Sequence, residues 1–253
     1  MTDAQKILLF VKYPEPGKVK TRLEPLLGKE DVARLYCCFV LDLLETVAGT
    51  DYPLGVFYDP PEKKGALVRL FGEGYDYRPQ EGADLGERMK NAFKSAFADG
   101  MTSVVLIGSD LPDLPPSVLQ EAFSSLETTD GVLGPSVDGG YYLVGFRKKG
   151  FFSDVFNGIP WSTDSVFSET MRRFSAAGRT VSLLPRGRDL DHSEDLRDFR
   201  RRNLATPLSR SHTMIFLDQF DFLDETYADK DRSSLRLFCL PVLNIVNLNK
   251  KQG

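Results

Sequence analysis

Short continuous apolar runs alternate along the chain with longer stretches in which apolar residues recur every three or four positions. The runs at residues 7–11 and 103–107 are typical of strands that are buried on both faces of a sheet. Further strands are predicted at residues 54–58, 131–134, 141–146 and 180–184. Helices are predicted between the strands, at residues 32–47, 84–98, 116–126, 163–177 and 193–202. This alternation predicts a three-layer α/β fold in which helices cover both faces of a mainly parallel sheet.

Two of the predicted helices carry start signals. Asp84 and Glu87 have the spacing of a capping box. Trp161 and Val166 have the spacing of a hydrophobic staple around an N-cap at Ser162. That spacing favours a capping role for this segment over a stacking role of the tryptophan on a ligand.

The overall composition narrows the classes of partner. The chain has 253 residues, of which 42% are hydrophobic and 27% charged, the balance of a soluble globular protein. A net charge of -4 gives no general attraction to nucleic acid or anionic lipid. Cys37, Cys38 and Cys239 form no metal-binding or redox spacing, which suits a reducing cytosol. No apolar run is long enough to span a membrane. Together with the charge, these features lead us to expect a cytoplasmic protein without a nucleic-acid partner.

The character of the sequence changes after Asn203. The alternation of strands and helices is complete by then, and the later aromatic residues follow no regular period: Phe216, Phe220, Phe222 and Tyr227. We therefore predict one domain at residues 1–203 and a C-terminal extension at residues 204–253. The extension either docks on the domain or forms an interface, for example in a homo-oligomer.

A cationic loop follows the first predicted strand. It also contains a glycine, which allows close approach of the backbone, and a threonine, and its polar members are Lys12, Gly17, Lys18, Lys20, Thr21 and Arg22. Lysines act as point charges, and Arg22 can bind phosphate oxygens through two bonds, so the loop suits an anion with several charges. The alternative is a solvated loop that keeps the strand end soluble. The position of the loop at the ligand-binding edge of an α/β sheet favours the anion.

Asp110 comes directly after the strand predicted at residues 103–107, in a bend enforced by Gly108 and Pro112. A carboxylate at this place can hold Mg²⁺ or Mn²⁺, which prefer oxygen ligands and share phosphate oxygens. A turn aspartate that accepts bonds from local amides explains the same position equally well.

Asp189 and Asp191 repeat this arrangement after the last predicted strand. In an extended segment the two carboxylates face the same side. The alternative for Asp191 is a capping box with Glu194 at the start of the last helix. Because the chain has only two histidines and no thiol cluster, a hard cation is favoured over zinc.

Two glycine-containing loops remain. The Asp138-Gly-Gly sequence indicates first of all a hairpin, and alternatively a loop that faces an acceptor. Residues 80–89, which include Leu85 and Gly86, enter a helix, and their amides can bind an anion or a base edge. The simpler interpretation of that segment is a loop before a capped helix.

Taken together, these motifs resemble those of the bacterial DUF2064 proteins, which are classed as GT-A type glycosyltransferases and are related to phospholactate guanylyltransferases. The matching segments occur in order at residues 10–23, 84–89, 107–114, 134–143, 161–163 and 189–196. His192 stands where the family pattern has threonine, and the extension after residue 204 is not covered.

The resemblance implies an α/β GT-A (nucleotide-diphospho-sugar transferase) fold and a divalent cation, Mg²⁺ or Mn²⁺, near Asp110. The expected function is metal-dependent transfer to a small-molecule acceptor, either of a sugar from a nucleotide sugar or of a nucleotidyl group from a nucleoside triphosphate. The expected site comprises nucleotide contacts from Lys12, Gly17, Lys18, Lys20, Thr21, Arg22, Leu85 and Gly86, metal ligands Asp110 and Asp191, and catalytic residues Asp110, Asp138 and Lys20. The alternative is a regulatory module that binds a nucleotide without turnover.

Overall fold

Seven strands form a single sheet in the part of the chain that the structure describes. The structure is a computed structural model and describes residues 4–220, so that Phe222, Tyr227 and Cys239 lie outside the described residues. The strands are β1 (Gln5–Lys12), β2 (Leu54–Asp59), β3 (Asp76–Pro79), β4 (Ser103–Ile107), β5 (Gly131–Pro135), β6 (Tyr141–Arg147) and β7 (Val181–Leu183). Their spatial order is β3-β2-β1-β4-β6-β5-β7. Only β6 runs against its neighbours β4 and β5 among these strands, so the expected mainly parallel sheet is confirmed.

The central strand β1 shows why the apolar runs in the sequence are continuous. Leu9 pairs with Val56 of β2 on one side and with Ile107 of β4 on the other. Leu8 belongs to the hydrophobic cluster on the opposite face of the sheet from Leu9. Because both faces of the strand are covered, both sets of alternating residues are apolar.

The helices cover both faces of this sheet. Among the described residues they are α1 (Glu24–Leu27), α2 (Lys29–Ala48), α3 (Lys64–Phe71), α4 (Leu85–Ala98), α5 (Pro116–Leu126), α6 (Val166–Ala176), α7 (Ser193–Asn203) and α8 (His212–Leu217). The cluster around Leu9 receives the apolar residues of α2, α3, α5, α7 and α8. The cluster around Leu8 receives those of α4 and α6. The three-layer α/β/α architecture predicted from the sequence is therefore confirmed.

The start of α6 differs from the prediction. The helix begins at Val166, and Ser162 has a φ of 67°, a left-handed conformation that an N-cap does not adopt. The first turn of the helix is held by the β5–β6 turn, where the Phe167 N–H donates to the Gly139 carbonyl over 2.8 Å. The prediction of an N-cap at Ser162 is wrong because this tertiary contact sets the path of the chain.

The first part of the predicted extension packs on the domain. Asp42 of α2 accepts hydrogen bonds from the backbone N–H groups of His212 (2.7 Å) and Thr213 (3.0 Å), and it thereby caps α8. Met214 and Leu217 are buried in the same cluster as α2. A chain that ended at Asn203 would therefore expose apolar surface of α2. The domain boundary at residues 203 and 204 stays a prediction. No helix within residues 4–220 is long and apolar enough to cross a membrane.

Candidate functional site

Loops that follow the carboxyl ends of the parallel strands meet at one edge of the sheet and line a cleft of about 790 Å³. Most of the residues predicted for the site line this cleft: Lys12, Lys18, Lys20, Thr21, Arg22, Leu85, Asp110, Asp138 and Asp191. Gly17 and Gly86 do not line it. The sheet thus gathers side chains that lie far apart in the sequence.

Lys20 lies at the centre of the charged part of the cleft. Its Nζ atom is 2.6 Å from Asp110 Oδ1 and 2.7 Å from Asp191 Oδ1, and only 5% of its side chain is exposed. Burial alone lowers the pKa of the Lys20 amine, but the two carboxylates raise it more, so the net shift is upward. Lys20 is therefore a charged ammonium that bridges two carboxylates.

The backbone of the first loop directs Lys20 into this position. Val19 and Leu23 are buried on either side of it and anchor the loop to the core. Lys20 itself has φ 45° and ψ 41°, a left-handed conformation, and precedes a short 3-10 helix at Thr21–Leu23. A non-glycine residue in this conformation is uncommon and costs free energy, as is typical of functional sites.

Asp191 pairs with two cations of the first loop. Besides Lys20, its Oδ2 atom lies 3.3 Å from Arg22 Nη1. Burial alone raises the pKa of the Asp191 carboxyl, but Lys20 and Arg22 outweigh this effect and lower it. The start of α7 is capped instead by Asp195, whose Oδ2 accepts from the backbone N–H of His192 over 2.8 Å. The alternative in which Asp191 and Glu194 form the capping box is wrong, because the box is shifted by one residue.

Asp189 is a carboxylate next to the site that the sequence did not predict as a metal ligand. Its Oδ2 accepts a hydrogen bond from Ser136 Oγ over 2.8 Å, while its buried Oδ1 has no hydrogen-bond partner among the described residues. Burial, and then the carboxylates of Asp110 and Asp138, raise the pKa of Asp189 to about 6, against the opposing effects of Ser136 and Lys20. Desolvation of the buried carboxyl is therefore the main reason why Asp189 ionises less readily than a free aspartate.

This donor set fits a hard divalent cation. Asp110, Asp189 and Asp191 offer carboxylate oxygens, the ligands that Mg²⁺ and Mn²⁺ prefer. The Asp110 side chain is 50% exposed, so it can offer an oxygen atom to a cation, whereas Asp189 Oδ1 lacks a partner but is buried. We find no histidine or cysteine among the residues that line the cleft.

Among the described residues, the one group of three potential ligands whose atoms all lie close together is found away from the cleft, where α2 meets α8. Ligand atoms of Asp42, Glu45 and His212 lie within 4.8 Å of one another. Both oxygens of Asp42 already accept backbone N–H groups of α8, and Glu45 Oε1 lies 2.8 Å from His212 Nε2. Capping and a surface pair explain this cluster without a metal.

Tyr36 is a residue of the site that the sequence does not reveal. Its hydroxyl shares a 2.6 Å hydrogen bond with Ser109 Oγ and accepts the backbone N–H of Lys12 over 3.0 Å. Burial, followed by the charge of Asp110, raises the pKa of Tyr36, so the phenol stays neutral. Its place in the apolar stripe of α2 indicates only core packing, but the hydroxyl ties the ends of β1 and β4 together beneath the cleft.

Asp138 lies in the turn of the β5–β6 hairpin, so the predicted hairpin is confirmed. Its Oδ1 accepts the backbone N–H of Gly140 over 3.0 Å, and its exposed side chain lines the cleft. Thr163 and Asp164 line the same wall. Asp138 can therefore belong to a hairpin turn and also face a ligand, because the turn itself forms one rim of the cleft.

The first turn of α4 forms another wall. Asp84 caps the helix by accepting the Glu87 N–H over 2.8 Å, as the sequence predicts. Leu85 is exposed to the cleft, and Arg88, which was not predicted for the site, lines it while pairing with Asp59 over 3.2 Å. Gly86 lies beneath Trp161, so its observed contacts are those of packing.

Comparison with known proteins agrees with this architecture. The model of DUF2064, described as an uncharacterized protein conserved in bacteria, matches residues 43–163. A crystal structure from Desulfovibrio desulfuricans G20, provisionally named a nucleotide-diphospho-sugar transferase, is 42% identical, covers 88% of this chain and 97% of its own, and superposes with a TM-score of 0.85. No protein of curated function matches the chain.

More distant structures share the fold alone. A cytidylyltransferase from Leptospira borgpetersenii is 10% identical, with a TM-score of 0.51 over 90% of this chain and 100% of its own. A nucleotidyl transferase from Methanothermobacter is 14% identical, with a TM-score of 0.51 over 80% of this chain and 99% of its own. The chain has the fold of the nucleotide-diphospho-sugar transferases and belongs to the DUF2064 family.

Proposed function

We propose that this protein is a metal-dependent transferase that takes a nucleotide donor and passes part of it to a small-molecule acceptor. The observation that carries the proposal is the pairing of the cationic first loop with Asp110 and Asp191 inside one cleft at the strand ends. A nucleotide donor carries negatively charged phosphates, which the loop cations can bind. It also shares a divalent metal ion with carboxylates such as Asp110 and Asp191. The provisional name of the 42% identical relative supports the same class.

The cations of the first loop would bind the donor phosphates. Lys12, Lys18 and Arg22 are exposed and line the cleft next to Lys20. Arg22 is 66% exposed, so its guanidinium can turn from Asp191 to phosphate oxygens with little repacking. Each charge-assisted contact of this kind contributes about 1.5 to 3 kcal/mol to binding.

Asp110 and Asp191, with Asp189 beside them, would hold Mg²⁺ or Mn²⁺. When bound, the ion neutralises the charge that builds up on the leaving phosphate oxygens. The protein residues fix the donor: Tyr36 and Ser109 hold the strand ends in place, and the loop cations orient the phosphates. Positioning of this kind accounts for much of the rate enhancement in phosphate chemistry.

Asp138 would act on the acceptor side. It lines the same cleft as the first loop, together with Thr163 and Asp164. An exposed carboxylate there can orient an acceptor hydroxyl and take its proton during transfer. The hydroxyl of Thr163 and the carboxylate of Asp164 supply further hydrogen-bonding groups for a polar acceptor.

The test is a thermal-stability screen of nucleoside triphosphates and nucleotide sugars, each with Mg²⁺, with Mn²⁺ and with a chelator, followed by product analysis. We expect metal-dependent stabilisation by one donor class, because ligand binding to the folded state raises Tm. Release of pyrophosphate identifies nucleotidyl transfer, and release of a nucleoside diphosphate identifies glycosyl transfer. Stabilisation without consumption of any donor would instead identify a nucleotide-binding module.

A pair of variants tests the site in the same assay. Asp110→Asn keeps the shape of the side chain but removes its charge, so metal-dependent stabilisation should be lost. Asp51→Asn removes an exposed carboxylate that does not line the cleft, and it should behave like the unchanged protein. Equal donor responses of the two variants would contradict the assignment of Asp110.

A further inference from the structure

The Lys20 ammonium lies where a metal ion shared by Asp110 and Asp191 would have to bind. One Oδ1 atom of each carboxylate is within 2.7 Å of its Nζ atom. These are distances of strong charge-assisted hydrogen bonds, and the nearly complete burial of the side chain excludes competing water. The two carboxylates thus already share a cation in the ligand-free protein.

An ammonium and a divalent ion cannot share these oxygens at the same time. The two cations would be in direct contact at the same oxygen atoms, where their like charges repel. A metal that binds alone must therefore displace Lys20, and the displaced ammonium must find another anion or return to water. Without a bound donor, a displaced Lys20 ammonium has no phosphate oxygens to replace these two close carboxylates.

The donor changes this balance. Its phosphates would lie among the cations of the first loop, next to Lys20, and would give the ammonium new acceptor oxygens. The left-handed backbone at Lys20 fixes the Cα atom, while the flexible four-carbon stem lets the ammonium move. Asp110, half exposed on the cleft side, then becomes available to the metal.

We propose that Lys20 is an exchangeable cation that couples metal binding to nucleotide binding. It neutralises Asp110 and Asp191 in the ligand-free protein and moves to the donor phosphates when nucleotide and metal enter together. The inference rests on the proposed function, and it adds that metal alone binds weakly whereas metal and donor bind cooperatively. Coupling of this kind is reciprocal, so each ligand raises the affinity for the other by the same factor.

This coupling is tested by titrating the full chain with Mn²⁺ alone. The electron paramagnetic resonance signal measures the free Mn²⁺ at each step. Lys20→Gln removes the charge but keeps hydrogen-bond donors for both carboxylates, so we expect about tenfold or tighter Mn²⁺ binding than in the unchanged protein. Lys94→Gln removes an exposed charge of α4 that does not line the cleft, and it should leave the Mn²⁺ affinity within about twofold. The double variant Lys20→Gln, Asp110→Asn should lose the gain.

The outcomes separate the two proposals. Mn²⁺ affinity that is unchanged or weaker in Lys20→Gln, or tight Mn²⁺ binding by the unchanged protein without nucleotide, overturns the role of Lys20. Because this titration contains no nucleotide, it is decided independently of the donor screen, whose failure would overturn the proposed function. If Lys20→Gln does not fold, as judged by circular dichroism, Lys20→Met carries the same test.

Discussion

A Cβ atom added at Gly86 would stand 2.8 Å from Trp161 Cζ2 and 2.6 Å from the Phe156 carbonyl oxygen. Real Cβ atoms do not approach other atoms so closely, and the carbonyl belongs to the backbone, which cannot easily yield. The absence of a side chain at residue 86 thus lets the indole lie on the first turn of α4, beside Leu85 at the wall of the cleft.

Gly86→Ala should destabilise the protein by about 1 to 3 kcal/mol, because overpacking outweighs the helix propensity gained. The single tryptophan of the chain lies at the affected contact, so its fluorescence maximum should shift together with a lower Tm. Gly65→Ala in α3 is the matched control, since its Cβ would stand 3.6 Å from the nearest atom, Arg69 Nη1. That control should leave fluorescence unchanged and stability equal or slightly higher. An equal loss in both variants would contradict the packing argument.

Arg22→Ala should weaken binding of the donor found in the screen by about tenfold to a hundredfold, the loss of one charge-assisted phosphate contact. Because Arg22 is largely exposed, Tm without ligand should stay nearly constant. Isothermal titration measures the affinity, and Arg210→Ala, an exposed arginine that does not line the cleft, is the control. An unchanged donor affinity in Arg22→Ala would show that Arg22 is a solvated surface residue that does not bind the phosphates.

Asp130→Asn should cost roughly 2 kcal/mol of unfolding free energy at neutral pH. Asp130 Oδ1 pairs with Arg147 Nη2 over 2.6 Å, and Oδ2 accepts the Thr180 N–H over 3.0 Å, so one carboxylate joins the ends of three strands. Burial alone raises the pKa of Asp130, but these partners lower it below its unfolded value.

The sign of the pH dependence follows from that depressed pKa. The stabilisation is present above the unfolded pKa of about 3.9 and is lost as pH falls from there through the folded value. Urea unfolding at several pH values should therefore show the gap between Asp130→Asn and the unchanged protein narrowing below about pH 4. A gap that persists undiminished in acid would mean that shape, not charge, stabilises this junction.

Asp42→Ala should destabilise the protein by about 1 to 3 kcal/mol, because two backbone N–H groups of α8 lose their acceptor. Glu45→Ala, on the same helix, removes an exposed partner of the His212 ring and should cost less than about 0.5 kcal/mol. Chemical denaturation gives both values. Similar losses, or a Zn²⁺-dependent stabilisation that Glu45→Ala abolishes, would show that the cluster acts as more than a cap.

The sequence predicts those elements whose residues obey one period and carry their own end signals. Pro116 opens α5 at the predicted residue, and the run of residues 103–107 is β4. The helix α3 and the strand β3 were missed because they offer little pattern. Only Leu67 and Phe71 are buried in the first, and only Tyr77 in the second, which is an edge strand.

For the site, the residue types were predictable but their partners were not. A cationic loop and carboxylates at strand ends are local features, and the edge of an α/β sheet is a general meeting place. That Lys20 lies between Asp110 and Asp191, and that Asp195 rather than Asp191 caps α7, depends on three-dimensional packing. The hydroxyl of Tyr36 was hidden for the same reason, since a helical stripe reveals burial but not hydrogen bonds.

Lys20 and Asp191 are 171 positions apart in the chain, yet their side chains are in direct contact. Closing so long a loop is entropically unfavourable until the sheet between them has formed, so we expect this contact to form late in folding. During synthesis the first loop emerges from the ribosome long before its acidic partner, and its lysine then meets only water. The complete site, with Lys20 held between its two carboxylates, should consequently form in the nascent chain only after Asp191 has left the exit tunnel.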